Sequence, residues 1–237
     1  CYCTPSTGGG NTYYVSNFTT TGGTTNINNT SGGSTTGYQD FHTTAIMSAD
    51  AGTTINYSMT VAGNDTYGRA IWVDLDEDGI FQASEQLVSS SSYSSSPLNG
   101  SFTIPPSTTS GNKRMRIVAT YSPNNPSNAC SNTGPGEYED YTIIVTALPL
   151  CTGTPNAGTI TAPLVRQTCG GTTPTPAIAA ATGYTTGVNG ISFQWEVSTD
   201  NNTYTDASGP SATTASYILP THTSGQIEFY RMKITCT

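Results

Sequence analysis

Ile55, Tyr57, Met59 and Val61 take every second position along one stretch, and Met115, Ile117, Ala119 and Tyr121 do so along another. Period two is the mark of a strand with one face on a core, so both stretches predict half-buried β-strands. Shorter runs predict strands over 13–15, 41–47, 70–74, 86–89, 101–104 and 140–146. Residues 20–37 and 89–96 are Gly- and Ser-rich clusters that read as surface loops, because they offer too little apolar area to order themselves. The rhythm of short strands and turns is that of a β-sandwich.

At Ala147-Leu148-Pro149-Leu150 a strand runs into a proline that cannot continue a ladder, and a turn-rich segment, Cys151-Thr152-Gly153-Thr154-Pro155, follows. A domain boundary is expected there, giving domains 1–148 and 149–237. Downstream, Phe193, Trp195 and Val197 alternate with polar residues, and further strands are expected near 217–219 and 227–235. Trp195 and Met232 fit core positions of an immunoglobulin-like sandwich, with Trp195 read as packing rather than as a sugar-stacking platform. The expected fold class is therefore all-β, two sandwiches in tandem: the first jelly-roll-like with a calcium loop, the second immunoglobulin-like and lacking its last strand. That strand would come from a continuing chain or be donated by another molecule, as in a filament.

Composition narrows the function. Only 9% of the 237 residues are charged, about a third of the usual share, while Thr (44) and Ser (26) abound. Seven basic residues against fifteen acidic ones give a net charge of -8, which excludes nucleic-acid and polybasic membrane binding. The best apolar run, 143–150, is too short and too interrupted to span a bilayer, so no transmembrane segment is expected. The chain starts at Cys1 rather than Met and reads as a processed product or a piece of something larger. Six cysteines with no pair spaced two apart point to disulfides rather than zinc, and hence to an extracellular or cell-surface setting.

The acids are concentrated. The segment Asp74-Leu75-Asp76-Glu77-Asp78-Gly79-Ile80-Phe81-Gln82-Ala83-Ser84-Glu85 fits the 12-residue calcium loop position by position. Asp74, Asp76 and Asp78 take positions 1, 3 and 5, Gly79 permits the turn, the Ile80 carbonyl takes 7, Gln82 takes 9 and Glu85 is the bidentate ligand at 12. A hard Ca2+ ion needs six to eight oxygens, and alternating carboxylates on a tight loop supply them. The flanks read as strands, so the ion is expected to staple a sandwich rather than to move helices.

Five segments carry a family resemblance: Tyr2-Cys3-Thr4-Pro5-Ser6, Gly37-Tyr38-Gln39-Asp40-Phe41, Trp72-Val73-Asp74 leading into Asp76-Glu77-Asp78-Gly79, Arg114-Met115-Arg116, and Gly136-Glu137-Tyr138-Glu139-Asp140-Tyr141. In this order they resemble the GEVED domain family of secreted Bacteroidetes proteins over roughly residues 1–147, with Tyr138 in place of the family's valine. The second part resembles the immunoglobulin-like repeats of such proteins through Cys151 to Pro155 and Tyr230-Arg231 to Thr235-Cys236. The resemblance implies a β-sandwich module of large cell-surface or secreted proteins, often exported by the type IX route and often adhesin-like or attached to hydrolases. Its second acidic cluster maps onto Glu137, Glu139 and Asp140. These could complete a metal site or pair with Arg114 and Arg116, and ion pairing is preferred because buried carboxylates must be paired. Asp40 has the same ambiguity.

The resemblance places Cys3 and Cys130 beside family motifs, which suggests that they bond to each other. Cys1 with Cys151 and Cys169 with Cys236 would complete the set, although fifteen connectivities are possible and a lipidated Cys1 is a further alternative. No nucleophile elbow, phosphate loop or zinc-protease helix is present, and the two histidines, His42 and His222, fall one in each domain. A glycosidase pair drawn from Glu137, Glu139 or Asp140 is the one catalytic reading left. The preferred function is non-catalytic: a calcium-stabilised module in adhesion or surface assembly, meeting a surface ligand or neighbouring subunits. One alternative is an accessory module of an exported hydrolase that could bind glycans; another is a filament subunit completed by a donated strand.

Overall fold

The computed structural model describes residues 1–5, 7, 11–90, 92–123, 126–131, 134–161, 178–220 and 227–236. It is all-β and divides into two compact units, Cys1–Leu148 and Pro149–Thr237. No helix among the described residues is long and apolar enough to cross a membrane.

The first unit contains β1 (Val15–Thr21), β2 (Asn28–Thr30), β3 (Tyr38–Asp40), β4 (Ile46–Asp50), β5 (Thr54–Val61), β6 (Thr66–Val73), β7 (Gln86–Ser89), β8 (Ser94–Ser95), β9 (Leu98–Thr103), β10 (Gly111–Tyr121) and β11 (Gly136–Thr146). One sheet has the order β2-β1-β5-β9; the other has the order β3-β11-β10-β6-β7, with β4 also on β11 and β8 also on β6. Ile55, Tyr57, Met59 and Val61 of β5 turn inward while Thr54, Asn56 and Thr60 face solvent. They meet Ile71, Val73, Met115, Ile117, Tyr141, Ile143 and Val145 of the opposing sheet in one core, which makes the unit a sandwich.

Three departures from the sequence pattern have physical causes. The stretch 20–37, expected to be a surface loop, carries β2 and buries Ile27 to 3% exposure. One apolar side chain suffices there because Thr20 fixes the Ile27 backbone in both directions: its N–H donates to the Ile27 carbonyl, and its Oγ1 accepts from the Ile27 N–H. Of the strand expected over 41–47 only Ile46 and Met47 lie in one, β4, because 41–45 is a turn after β3 in which the backbone N–H groups of Thr44 and Ala45 reach back to the Phe41 carbonyl. Both β3 and β4 then run parallel to β11. Finally, β10 and β11 are buried on both faces, not one. Their outer face carries a second apolar layer of Ala70, Trp72, Val118, Ala129 and Tyr138, against which Tyr38 and Phe81 pack.

Gly136 opens β11 where β10 passes closest. A Cβ there would lie 2.3 Å from the Ala119 carbonyl oxygen and 2.8 Å from the Thr120 Cα, both backbone atoms that cannot step aside. Gly136→Ala is therefore expected to destabilise the first unit by about 1–3 kcal/mol through forced backbone shifts, read as a lower urea midpoint.

The second unit contains β12 (Thr159–Thr161), β13 (Ile178–Thr182), β14 (Ile191–Ser198), β15 (Thr205–Asp206), β16 (Ser216–Ile218) and β17 (Phe229–Cys236). They form two three-stranded sheets, β12-β13-β16 and β15-β14-β17. Trp195 lies opposite Met232 across the β14–β17 ladder, is fully buried, stacks on Tyr217 at 5.7 Å and donates its indole N–H to the Thr214 carbonyl. Four alanines, Ala179, Ala181, Ala207 and Ala212, complete this small core.

Among the described residues the disulfides are Cys3–Cys130 and Cys151–Cys236. The expected bonds Cys1–Cys151 and Cys169–Cys236 are corrected: Cys1 is free and exposed, and Cys236 takes Cys151 as its partner. Register explains the exchange. The Cys151 N–H donates to the Asn189 carbonyl just before β14, and Cys236 pairs with Ile191 at the start of the same strand. Their Cα atoms are thereby brought to 5.4 Å, within disulfide reach. Cys169 and His222 lie outside the described residues.

Candidate metal centre

Strand β6 delivers Ile71, Trp72 and Val73 to a chain reversal that begins at Asp74, whose N–H donates to the Arg114 carbonyl on β10. Asp74 is buried and organises the loop. Its Oδ1 accepts the Glu77 N–H at 2.8 Å, and its Oδ2 accepts the Gly79 N–H at 3.0 Å and the Tyr2 hydroxyl at 2.5 Å. Asp76 and Asp78 repeat the device locally, each accepting the N–H two residues on, at Asp78 and Ile80. Gly79 holds a φ of +84°, a conformation that side chains resist, and a Cβ there would sit 3.2 Å from the Cys1 nitrogen.

These turns bring carboxylate oxygens of Asp74, Asp76 and Asp78 within 4.8 Å of one another. None of the three is paired with a Lys or Arg among the described residues. Gln82 lies beside them, its Nε2 2.9 Å from Asp78 Oδ2 and 3.4 Å from Asp76 Oδ2. Such a set of hard oxygens suits a calcium-sized cation. Glu85 stands outside the trio. Its Oε1 accepts the Leu75 N–H at 2.7 Å and its Oε2 the Gln82 N–H at 3.0 Å, so it closes the loop from below as a brace. The Ile80 side chain points to solvent, 60% exposed.

Anchors that sequence reasoning missed fasten this loop. Glu77, at a φ of +63°, reaches the buried Lys113 at 2.6 Å. Tyr2 packs on Phe81 at 5.2 Å and lies under the Arg114 guanidinium at 4.7 Å. Burial, then the Asp74 carboxylate, pushes the Tyr2 phenol well above its ordinary range, so it remains a hydrogen-bond donor. The signal for Phe81 was an aromatic residue inside an acidic loop, where packing alone accounts for it; Lys113 and Tyr2 carried no comparable local signal.

The second acidic cluster is divided between the two faces of β11. Alternation along β11 turns Glu137 and Glu139 to the inner face with Tyr141, and Asp140 to the outer face with Tyr138. On the outer face Arg116 grips Asp140 with two bonds, Nε to Oδ1 at 2.6 Å and Nη2 to Oδ2 at 2.7 Å, and both residues are 0% exposed. Arg114 Nη1 adds a bond to Asp140 Oδ2 at 3.0 Å. Asp40 is half-exposed at the rim. Burial would raise its carboxyl, but hydrogen bonds from His42 and the Arg114 charge hold it below its ordinary value.

On the inner face Glu137 and Glu139 have no cationic partner among the described residues. Burial pushes their carboxyls up, to about 7 for Glu137 and about 8 for Glu139, although hydrogen bonds from Gln39, Ser34 and Val15 pull the first down and those from Tyr141 and Ser31 the second.

Compared with known proteins, residues 68–144 match the GEVED domain. The match takes in the calcium-type loop, the Arg114-Met115-Arg116 strand and the Gly136–Tyr141 segment. No curated protein matches the chain.

Proposed function

We propose, taking as premise that residues 68–144 form a GEVED domain, that the chain is a non-catalytic, calcium-stabilised β-sandwich module of an exported protein, serving adhesion or surface assembly. The observation that carries the calcium reading is the convergence of Asp74, Asp76 and Asp78 on a loop tied to two other parts of the unit: Tyr2 of the N-terminal segment, and β10 through Lys113 and the Arg114 backbone. A bound calcium ion supplies the positive charge that three unpaired carboxylates call for. The residues do the rest: Asp74 holds the turn, Glu85 closes it, and Tyr2 and Phe81 clamp the N-terminal segment against it.

Two disulfides support an oxidising, extracellular location. The acids at the end of the domain support a structural rather than catalytic role, since Glu137, Glu139 and Asp140 are all 0% exposed and spent on internal hydrogen bonds.

Calcium at a thousandfold excess over its dissociation constant would stabilise the native state by about 4 kcal/mol. The melting temperature of the first unit is thus expected to fall when EDTA replaces calcium. Asp76→Asn combined with Asp78→Asn is expected to abolish that response while leaving the EDTA value unchanged, because neither side chain is buried. Calorimetric titration with calcium provides the direct readout. No heat of binding, together with a melting temperature indifferent to EDTA, would overturn the calcium reading.

A further inference from the structure

The inner-face pair on β11 is held by a chain of hydrogen bonds whose directions can be worked out from the donors alone. Ser31 Oγ lies 2.7 Å from the Val15 carbonyl oxygen and 2.8 Å from Glu139 Oε1. A hydroxyl has one proton, and a carbonyl oxygen can only accept it. Ser31 therefore donates to Val15 and has no proton left for Glu139. Two oxygens at 2.8 Å still need one between them, and Glu139 alone can supply it. Its other oxygen, Oε2, accepts the Tyr141 hydroxyl at 2.7 Å, and that hydroxyl in turn accepts from Asn29 Nδ2 at 3.1 Å.

Glu137 has the opposite environment. Its Oε1 accepts from the Ser34 N–H at 3.0 Å and from Gln39 Nε2 at 2.9 Å, and its Oε2 accepts the Val15 N–H at 3.0 Å. Three N–H donors suit a carboxylate and leave no acceptor for a carboxyl proton.

We infer that Glu139 is a neutral carboxylic acid in the folded protein, donating from Oε1 to Ser31, while neighbouring Glu137 carries the charge, so that the pair acts as a one-proton latch fastening β1 and the 29–39 segment to β11. The titratable groups facing Glu139 are Glu137 and Tyr141 on its own strand. The elements packed against it present Val15, Asn29, Ser31, Ser34 and Gln39, and β10 presents Ile117, none of which titrates. The higher displacement of the Glu139 carboxyl, to about 8 against about 7 for Glu137, has the same sense.

The latch has a pH signature. The folded chain keeps a proton that the unfolded chain releases near 4.5, so this group's stabilisation is full below that value and falls as pH rises, until it is lost above about 8. Within the window the folding equilibrium constant loses about tenfold per pH unit.

The test compares urea unfolding of the full chain and of Glu139→Gln between pH 5.5 and 8. The glutamine amide supplies the same donor to Ser31 and acceptor to Tyr141. Glu137, displaced to about 7, adds a slope of its own below that value, so the variant is expected to fold and to run tenfold per unit flatter than the parent, most plainly between pH 7 and 8; profiles that run parallel would overturn the inference. Glu137→Gln, which must turn an NH2 toward N–H donors, is expected to be destabilised at every pH. A second readout is independent of any variant: with 13C-labelled glutamate, the Glu139 carboxyl carbon is expected at the carboxylic-acid position at pH 7. A carboxylate shift there would equally overturn it.

Discussion

Asp140→Ala is expected to destabilise the first unit by about 3–5 kcal/mol, the loss that follows when one partner of a buried ion pair is removed. Arg116 would remain in place, 0% exposed, over the rings of Phe81 at 4.8 Å and Tyr38 at 5.4 Å, with the Ala129 carbonyl at 2.9 Å and the weak acceptor Cys3 Sγ at 3.2 Å left to its Nη1. Two of its donors, the Tyr38 hydroxyl and Arg114 Nη1 would all lose the same acceptor. Replacing the pair together, Arg116→Met with Asp140→Leu, is expected to recover most of the loss, because what harms is the uncompensated charge and not the missing pair. Asp40→Ala provides the exposed control: its contacts to His42 and Arg114 lie at the rim, where ion pairs contribute about 0–1 kcal/mol. Urea unfolding of the four proteins decides. A cost for Asp140→Ala no larger than that for Asp40→Ala would show that water reaches Arg116.

Trp195→Ala is the second large effect, about 3–5 kcal/mol for truncating a fully buried indole. The second unit has little else to fall back on. Its core is Trp195, Tyr217 and Met232 among four alanines, and the indole also carries the bond to the Thr214 carbonyl and the stack on Tyr217. A domain of this size has only about 5–15 kcal/mol in total, so the variant is expected to unfold near room temperature. By calorimetry one transition should move down sharply while that of the first unit stays where it was. A joint shift of both would mean that the two units do not unfold independently.

Local chemistry was legible in the sequence, and register was not. The alternation of β5 was readable because one of its faces is buried and the other solvated. Asp74, Asp76 and Asp78 were readable because a five-residue turn decides where they point. The same logic separates Glu137 and Glu139 from Asp140, since period two cannot put all three on one face. The ion-pair preference for the cluster fits Asp140 with Arg114 and Arg116, while the two glutamates are held by separate sets of neutral hydrogen-bonding groups instead of a cation. The outer apolar layer escaped notice because strands covered on both faces lose the polar half of their alternation, as Val118 beside Ile117 shows. Cysteine pairing depends on which strands meet across 85 residues, and nothing near Cys151 or Cys236 encodes that.

The two disulfides also determine how the molecule answers a pull along its backbone. Tension entering at Cys151 and leaving at Cys236 passes through a covalent link and never reaches the strands between them. At roughly 3.4 Å per extended residue, about 290 Å of slack is withheld there. The Cys3–Cys130 bond withholds about 430 Å in the same way from the 127 residues it spans. Under load the second unit is a link of fixed length, whereas in the first the force leaving Cys130 still crosses β11, whose bonds to β10, β3 and β4 must carry it.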